Sequence, residues 1–146
     1  MCEADEGSAE GTPIAVDYTA VDQPLGLTVF LLEHGFNVES VYIDVFTEEE
    51  SVFRKLQQLK PDLKIWSSLN WNMRIAERGH EGKIVAVGQI AAYFNDTDHF
   101  VNVVESGGMY GYAGIRALMK LIADAYENPK NMRELIQIKG WGCHCA

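Results

Sequence analysis

The chain has 146 residues, of which 47% are hydrophobic and 23% charged, with a formal net charge of −9 at pH 7. That length and composition predict a single soluble globular domain with a real core. The acidic balance argues against a nucleic-acid partner, which asks for a basic face, and no apolar run approaches the ~20 residues that cross a bilayer, so no membrane partner is expected.

Residues 1–11 are acidic and small, with almost nothing to bury, and read as a flexible acidic leader. They lack the basic and apolar regions of a secretion signal, so the expected location is cytoplasmic. A first strand is predicted over 13–18. A turn at 19–23 leads to Pro24, which suits the first helical position because its missing N–H costs nothing there. The helix is expected over 24–34, with Gly35 just beyond its end. A second strand, 38–45, carries β-branched residues and Tyr42 in alternation. Residues 47–50, Thr-Glu-Glu-Glu, form a capping box, and Val52, Phe53, Leu56 and Leu59 are the expected buried face of the helix that follows, stopped by Lys60-Pro61.

A third strand is expected over 62–67, followed by a short helix ending at Gly79. Residues 84–87, Ile-Val-Ala-Val, are an apolar run typical of a strand buried on both faces. Residues 89–105 read as long and irregular, with a short strand at 100–104. The run 106–114, Ser-Gly-Gly-Met-Tyr-Gly-Tyr-Ala-Gly, then turns into a helix whose apolar face is Ile115, Leu118, Met119, Ile122 and Tyr126. Asn128-Pro129 ends it. A last short helix is expected over 131–138.

Two readings fit the glycine-rich entry. It presents backbone N–H groups to an anion or cofactor, or it only lets the helix pack closely on a strand. Strands alternating with helices predict an α/β domain with a mainly parallel sheet of four to five strands and helices on both faces. Its functional loops then gather at the carboxyl ends of the strands. Neither a dinucleotide fingerprint after the first strand nor a P-loop sequence is present, which disfavours both binding modes.

The three cysteines, Cys2, Cys143 and Cys145, lie near the termini. Cys143-His144-Cys145 has one residue between its cysteines and no second pair, a poor match to structural zinc spacing, so no metal site is predicted.

Three segments resemble the nitrogenase component-one family, the molybdenum-iron protein type, and specifically the last Rossmann-like domain of such a subunit. Residues 61–79, beginning Pro-Asp-Leu-Lys-Ile and ending in Gly, are similar to the family's Pro-Asp-Leu-Ile segment with its short helix. The run 106–114 resembles the family's Ser-Gly-Pro-Tyr-His-Gly-Tyr-Asp-Gly. The helix ending Tyr126-Glu127-Asn128-Pro129 is similar to one that ends Asn-Asn-Pro. Order and spacing agree over roughly residues 12–130.

The resemblance implies a Rossmann-like three-layer domain over 12–139, with 140–146 as a flexible tail. It implies a domain of an oxidoreductase subunit that forms one wall of a cofactor or substrate pocket and makes subunit contacts. Implied partners are a paired homologous subunit and an ATP-dependent iron–sulfur reductase. An iron–sulfur cluster, metallocofactor or tetrapyrrole would belong to the full assembly, none being held by this domain alone. The family's cofactor-binding histidine falls on Val101, with His99 two residues earlier, and its first-turn arginine falls near Gln23, so a true dinitrogen reductase is not implied. With no cysteine between Cys2 and Cys143, no thiolate set exists in the body of the chain, and the domain alone is expected to be inactive.

The candidate ligand-binding residues are Gln23, Asn70, Trp71, His99, Ser106, Gly107 and Tyr110; catalytic residues remain unassigned. Plain structural roles compete: capping for Gln23, core packing for Trp71 and for Trp66, a solvated loop for His99, and a turn for Asp96 and Asp98, which could otherwise contact a metal. Two other functions stay open, a stand-alone small-ligand-binding or regulatory domain and a structural interaction module.

Overall fold

The computed structural model describes residues 11–45 and 50–136. Five strands form one parallel sheet: β1 (Ile14–Asp17), β2 (Val38–Ile43), β3 (Lys64–Ser67), β4 (Val85–Val87) and β5 (Phe100–Val101). Their spatial order is β3-β2-β1-β4-β5. The helices are α1 (Pro24–Glu33), α2 (Glu50–Leu59), α3 (Gln89–Asn95), α4 (Gly111–Glu127) and α5 (Met132–Leu135), with single 3₁₀ turns at Trp71–Arg74 and Glu105–Gly108.

The pleat decides the layers. Successive strand residues point to opposite faces, and here both faces are covered. Ile14, Val16, Val41, Ile43, Val85, Val87 and Val101 pack against Leu25, Leu31, Leu56, Leu118 and Ile122 from α1, α2 and α4. On the other face Ala15, Tyr42, Ala86 and Phe100 meet Ile90, Ala91 and Phe94 of α3, with Met73 and Met132. The result is the Rossmann-like three-layer α/β fold that the alternation of elements predicts.

Several boundaries differ from expectation. Residues 89–95, read as irregular, are α3: Gly88 stands at its N-cap with φ of 113°, and the cap hydrogen bond comes from Asp17, 74 residues earlier. No local capping residue announces this helix. After β3 the expected helix is only the 3₁₀ turn, begun by Asn70, whose Oδ1 accepts from Asn72 N at 3.0 Å. On α2 only Leu56 is fully buried; Leu59, expected inside, is exposed. β5 ends at Val101 rather than at 104. Thr47 of the capping box, the end of the last predicted helix and the Cys143-His144-Cys145 tail lie outside the described residues.

Chain direction creates the functional edge. The chain leaves β1 towards β2 on one side, whereas β4 and β5 lie on the other. The carboxyl ends of β1 and β4 therefore flank the switch point, where ligands of open α/β sheets bind. Asp17 ends β1 and Gly88 follows β4. A Cβ on Gly88 would lie 2.2 Å from Asp17 Oδ1. Replacing Gly88 by Ala adds that clash to a left-handed backbone, so we expect a loss of roughly 3 kcal/mol or more, read as a lower urea midpoint.

Candidate functional site

Asp17 is fully buried, and its carboxylate anchors two segments, the loop after β1 and the start of α3. Oδ1 accepts from Thr19 N (2.7 Å), Thr19 Oγ1 (2.5 Å) and Ala20 N (3.2 Å), which folds the loop after β1. Oδ2 accepts from Ala91 N at 2.7 Å and so caps α3 from another strand. Burial pushes the Asp17 carboxyl above its ordinary value of 3.8, and the donors from Thr19, Ala91 and Ala20 pull against that rise.

The loop after β5 docks onto this folded loop. Glu105 N donates to Thr19 O at 2.9 Å and Ser106 N to Ala20 O at 2.8 Å. The docked residues form one left-handed turn: φ is 49° at Glu105, 59° at Ser106, 51° at Gly107 and 77° at Gly108. Two of the four are not glycine, and such conformations cost about 1–3 kcal/mol each unless the surroundings impose them. Gly114 then permits α4 to start against the turn, since a Cβ there would lie 2.4 Å from the Met109 carbonyl carbon.

Between the first turns of α1 and α4 these loops leave a pocket of about 450 Å³. Its interior is apolar, from Val21, Leu27, Phe30, Met109, Ile115 and Leu118, and its polar groups are Asp22, Gln23, Ser106 and Tyr110. Gln23 and Tyr110 are the N-cap residues of α1 and α4, and neither side chain caps its own helix. An apolar body with a few placed polar groups is the usual make-up of a small-molecule site.

The predicted residues separate into three places. Gln23, Ser106 and Tyr110 line the pocket, and Gly107 sits in the left-handed turn beside it. Asn70 and Trp71 follow β3, two strands from β1, and do not line it. His99 stands at the opposite end of the sheet from where the loop reading put it. It precedes β5, its carbonyl accepts from Ala86 N, and its Nδ1 donates to Ala125 O at 2.9 Å, tying the end of α4 to the sheet. Asp98 caps α5 through Met132 N at 3.0 Å, and Asp96 is the left-handed C-cap of α3. Asp17 escaped sequence reading. Its signal is a lone carboxylate at the end of an apolar strand, with Thr19 two residues on.

The described residues contain no cysteine, and among them no group of three or more His, Cys, Asp or Glu is placed to hold a metal ion. The described residues therefore offer no ligand set for an iron–sulfur cluster. Nor is any described helix long and apolar enough to cross a membrane. Compared with protein-family models, curated proteins and solved structures, the chain has no match.

Two outcomes follow from this geometry. Because the folded Asp17 pKa lies above 3.8, the folded state binds more protons than the unfolded one between the two values. The Asp17 contribution is fully present below the unfolded value and is lost as pH rises through the folded one. Asp17→Asn removes that slope and turns an amide NH₂ towards an N–H donor, costing about 2–3 kcal/mol; urea unfolding of both proteins across pH reads both effects. In contrast, Glu105→Gly relaxes an exposed left-handed residue, and we expect a gain of roughly 0.5–1 kcal/mol in the same assay.

Proposed function

We propose that this chain is a ligand-binding Rossmann-like domain of a nitrogenase component-one type oxidoreductase subunit, forming one wall of a cofactor or substrate pocket and contributing subunit contacts. One observation carries the reading. The run 106–114, one of the three segments that carry the resemblance to that family, folds as the left-handed turn and helix start that line the pocket opposite Gln23.

In this proposal Leu27, Phe30, Ile115 and Leu118 receive the apolar body of the ligand and exclude water from it. Gln23, Ser106 and Tyr110 orient its polar edge. Iron–sulfur clusters are carried elsewhere in the assembly, which pairs this subunit with a homologous one and draws electrons from an ATP-dependent iron–sulfur reductase; a cytoplasmic setting belongs to the same reading. A tetrapyrrole or metallocofactor is the ligand class the resemblance favours, held with the second wall from the partner. The absence of any cysteine between Cys2 and Cys143 supports a second reading, a stand-alone small-ligand-binding or regulatory domain using the same pocket.

Titration with hemin and with metal-free protoporphyrin, followed by absorbance and by thermal unfolding, tests the proposal. Saturable binding that raises Tm by several degrees is expected, weakened about tenfold or more by Gln23→Ala combined with Tyr110→Ala. Binding that is equal in the double variant, or no shift with either compound, removes the tetrapyrrole reading. A Tm rise with smaller apolar acids instead favours the stand-alone domain.

A further inference from the structure

A second cavity lies on the other face of the sheet, away from the switch point. In a doubly wound fold a crossover helix covers this area, but here the connection from β3 to β4 supplies only the Trp71–Arg74 turn. Ser40 and Tyr42 of β2 and Lys64 and Trp66 of β3 are register partners on that face. Met73 and Ala76 cover them only in part. The slot that remains has a volume of about 160 Å³, close to that of a cavity that accepts a single benzene ring.

Its walls suit a ring. Tyr42 stacks on Phe94 at 5.4 Å and 9°, which fixes the inner wall. Trp66 is 42% exposed and stands at the mouth. The Asn95 amide is held by two hydrogen bonds. Asn95 Nδ2 donates to Ala91 O at 2.8 Å and to Tyr42 Oη at 3.3 Å. Both amide hydrogens are thus used within the protein, and what Asn95 has left for a ligand is its carbonyl, an acceptor. Asn95 and Ser40 are both buried polar residues of the lining.

The slot thus sets the Asn95 carbonyl, an acceptor, at the edge of an aromatic-walled space. Its charges are of both signs: His80 Nε2 is paired with Glu39 Oε2 at 2.7 Å, and Lys64 and Glu77 share the lining. Such a mixture does not select a charged ligand. We infer that this slot is a second binding site, for a small neutral heteroaromatic ring that bears a hydrogen-bond donor.

Nicotinamide and cytosine are suitable probes, with nicotinate and benzylamine as charged counterparts and pyridine as the bare ring. In ¹H–¹⁵N spectra of the full chain, nicotinamide and cytosine are expected to move the Trp66 indole and Asn95 side-chain signals saturably, with Kd of roughly 0.1–1 mM. Nicotinate, benzylamine and pyridine are expected to bind about tenfold more weakly. Ala76→Leu fills the slot and abolishes these shifts without changing Tm. Asn95→Ala removes the acceptor and weakens nicotinamide but not pyridine, which keeps the inference testable if the leucine variant is unstable. The inference is overturned if no probe saturates by about 20 mM, if the charged rings bind as well as the neutral ones, or if the shifts fall at Gln23 and Tyr110 instead.

Discussion

The Asp17 carboxylate is the constraint on which this architecture turns. It is a formally charged group at the end of a buried strand, and it is tolerable there because donors from the loop after β1 and from the first turn of α3 reach it. Through Thr19 and Ala20 it curls the loop after β1. Through Ala91 it begins α3. The space it occupies dictates glycine at position 88. The loop after β5 then docks on carbonyls that the first curl presents, so the pocket between α1 and α4 is two hydrogen-bond steps removed from a residue that does not line it.

The layer order was legible because it rests on patterns local to each element. Apolar runs such as 84–87 read as buried strands, and Gly35 and Asn128-Pro129 marked helix ends where the structure has them. What escaped reading has its cause elsewhere in the chain. The helix α3 has no capping side chain of its own, and its cap arrives from β1. Leu59 follows the helical period of α2 yet lies beyond what the sheet covers. His99 sits in a polar run that looks like a ligand loop, but it directly precedes β5, so it lies at the amino end of that strand and bonds the carbonyl of Ala125.

The site was half legible for the same reason. Gln23, Ser106, Gly107 and Tyr110 come together because the switch point unites the loops after β1 and β5. Asn70 and Trp71 were grouped with them on the sound premise that carboxyl-end loops converge, but strand order separates them by β2. Strand order is a global property, and periodicity does not encode it. The two cavities accordingly lie on either side of that division, one framed by helix starts and the other by a crossover that fails to form a helix.

The Asp17–Ala91 bond also has a bearing on synthesis. It joins residues 74 apart in the chain. At about 5–20 residues per second, a ribosome needs roughly 4–15 s to deliver the second partner after the first. During that interval β1, α1 and β2 can assemble around their local contacts, but the end of β1 still carries a carboxylate that wants water. Until Gly88 and Ala91 emerge, the Asp17 carboxylate has only the local donors of Thr19 and Ala20.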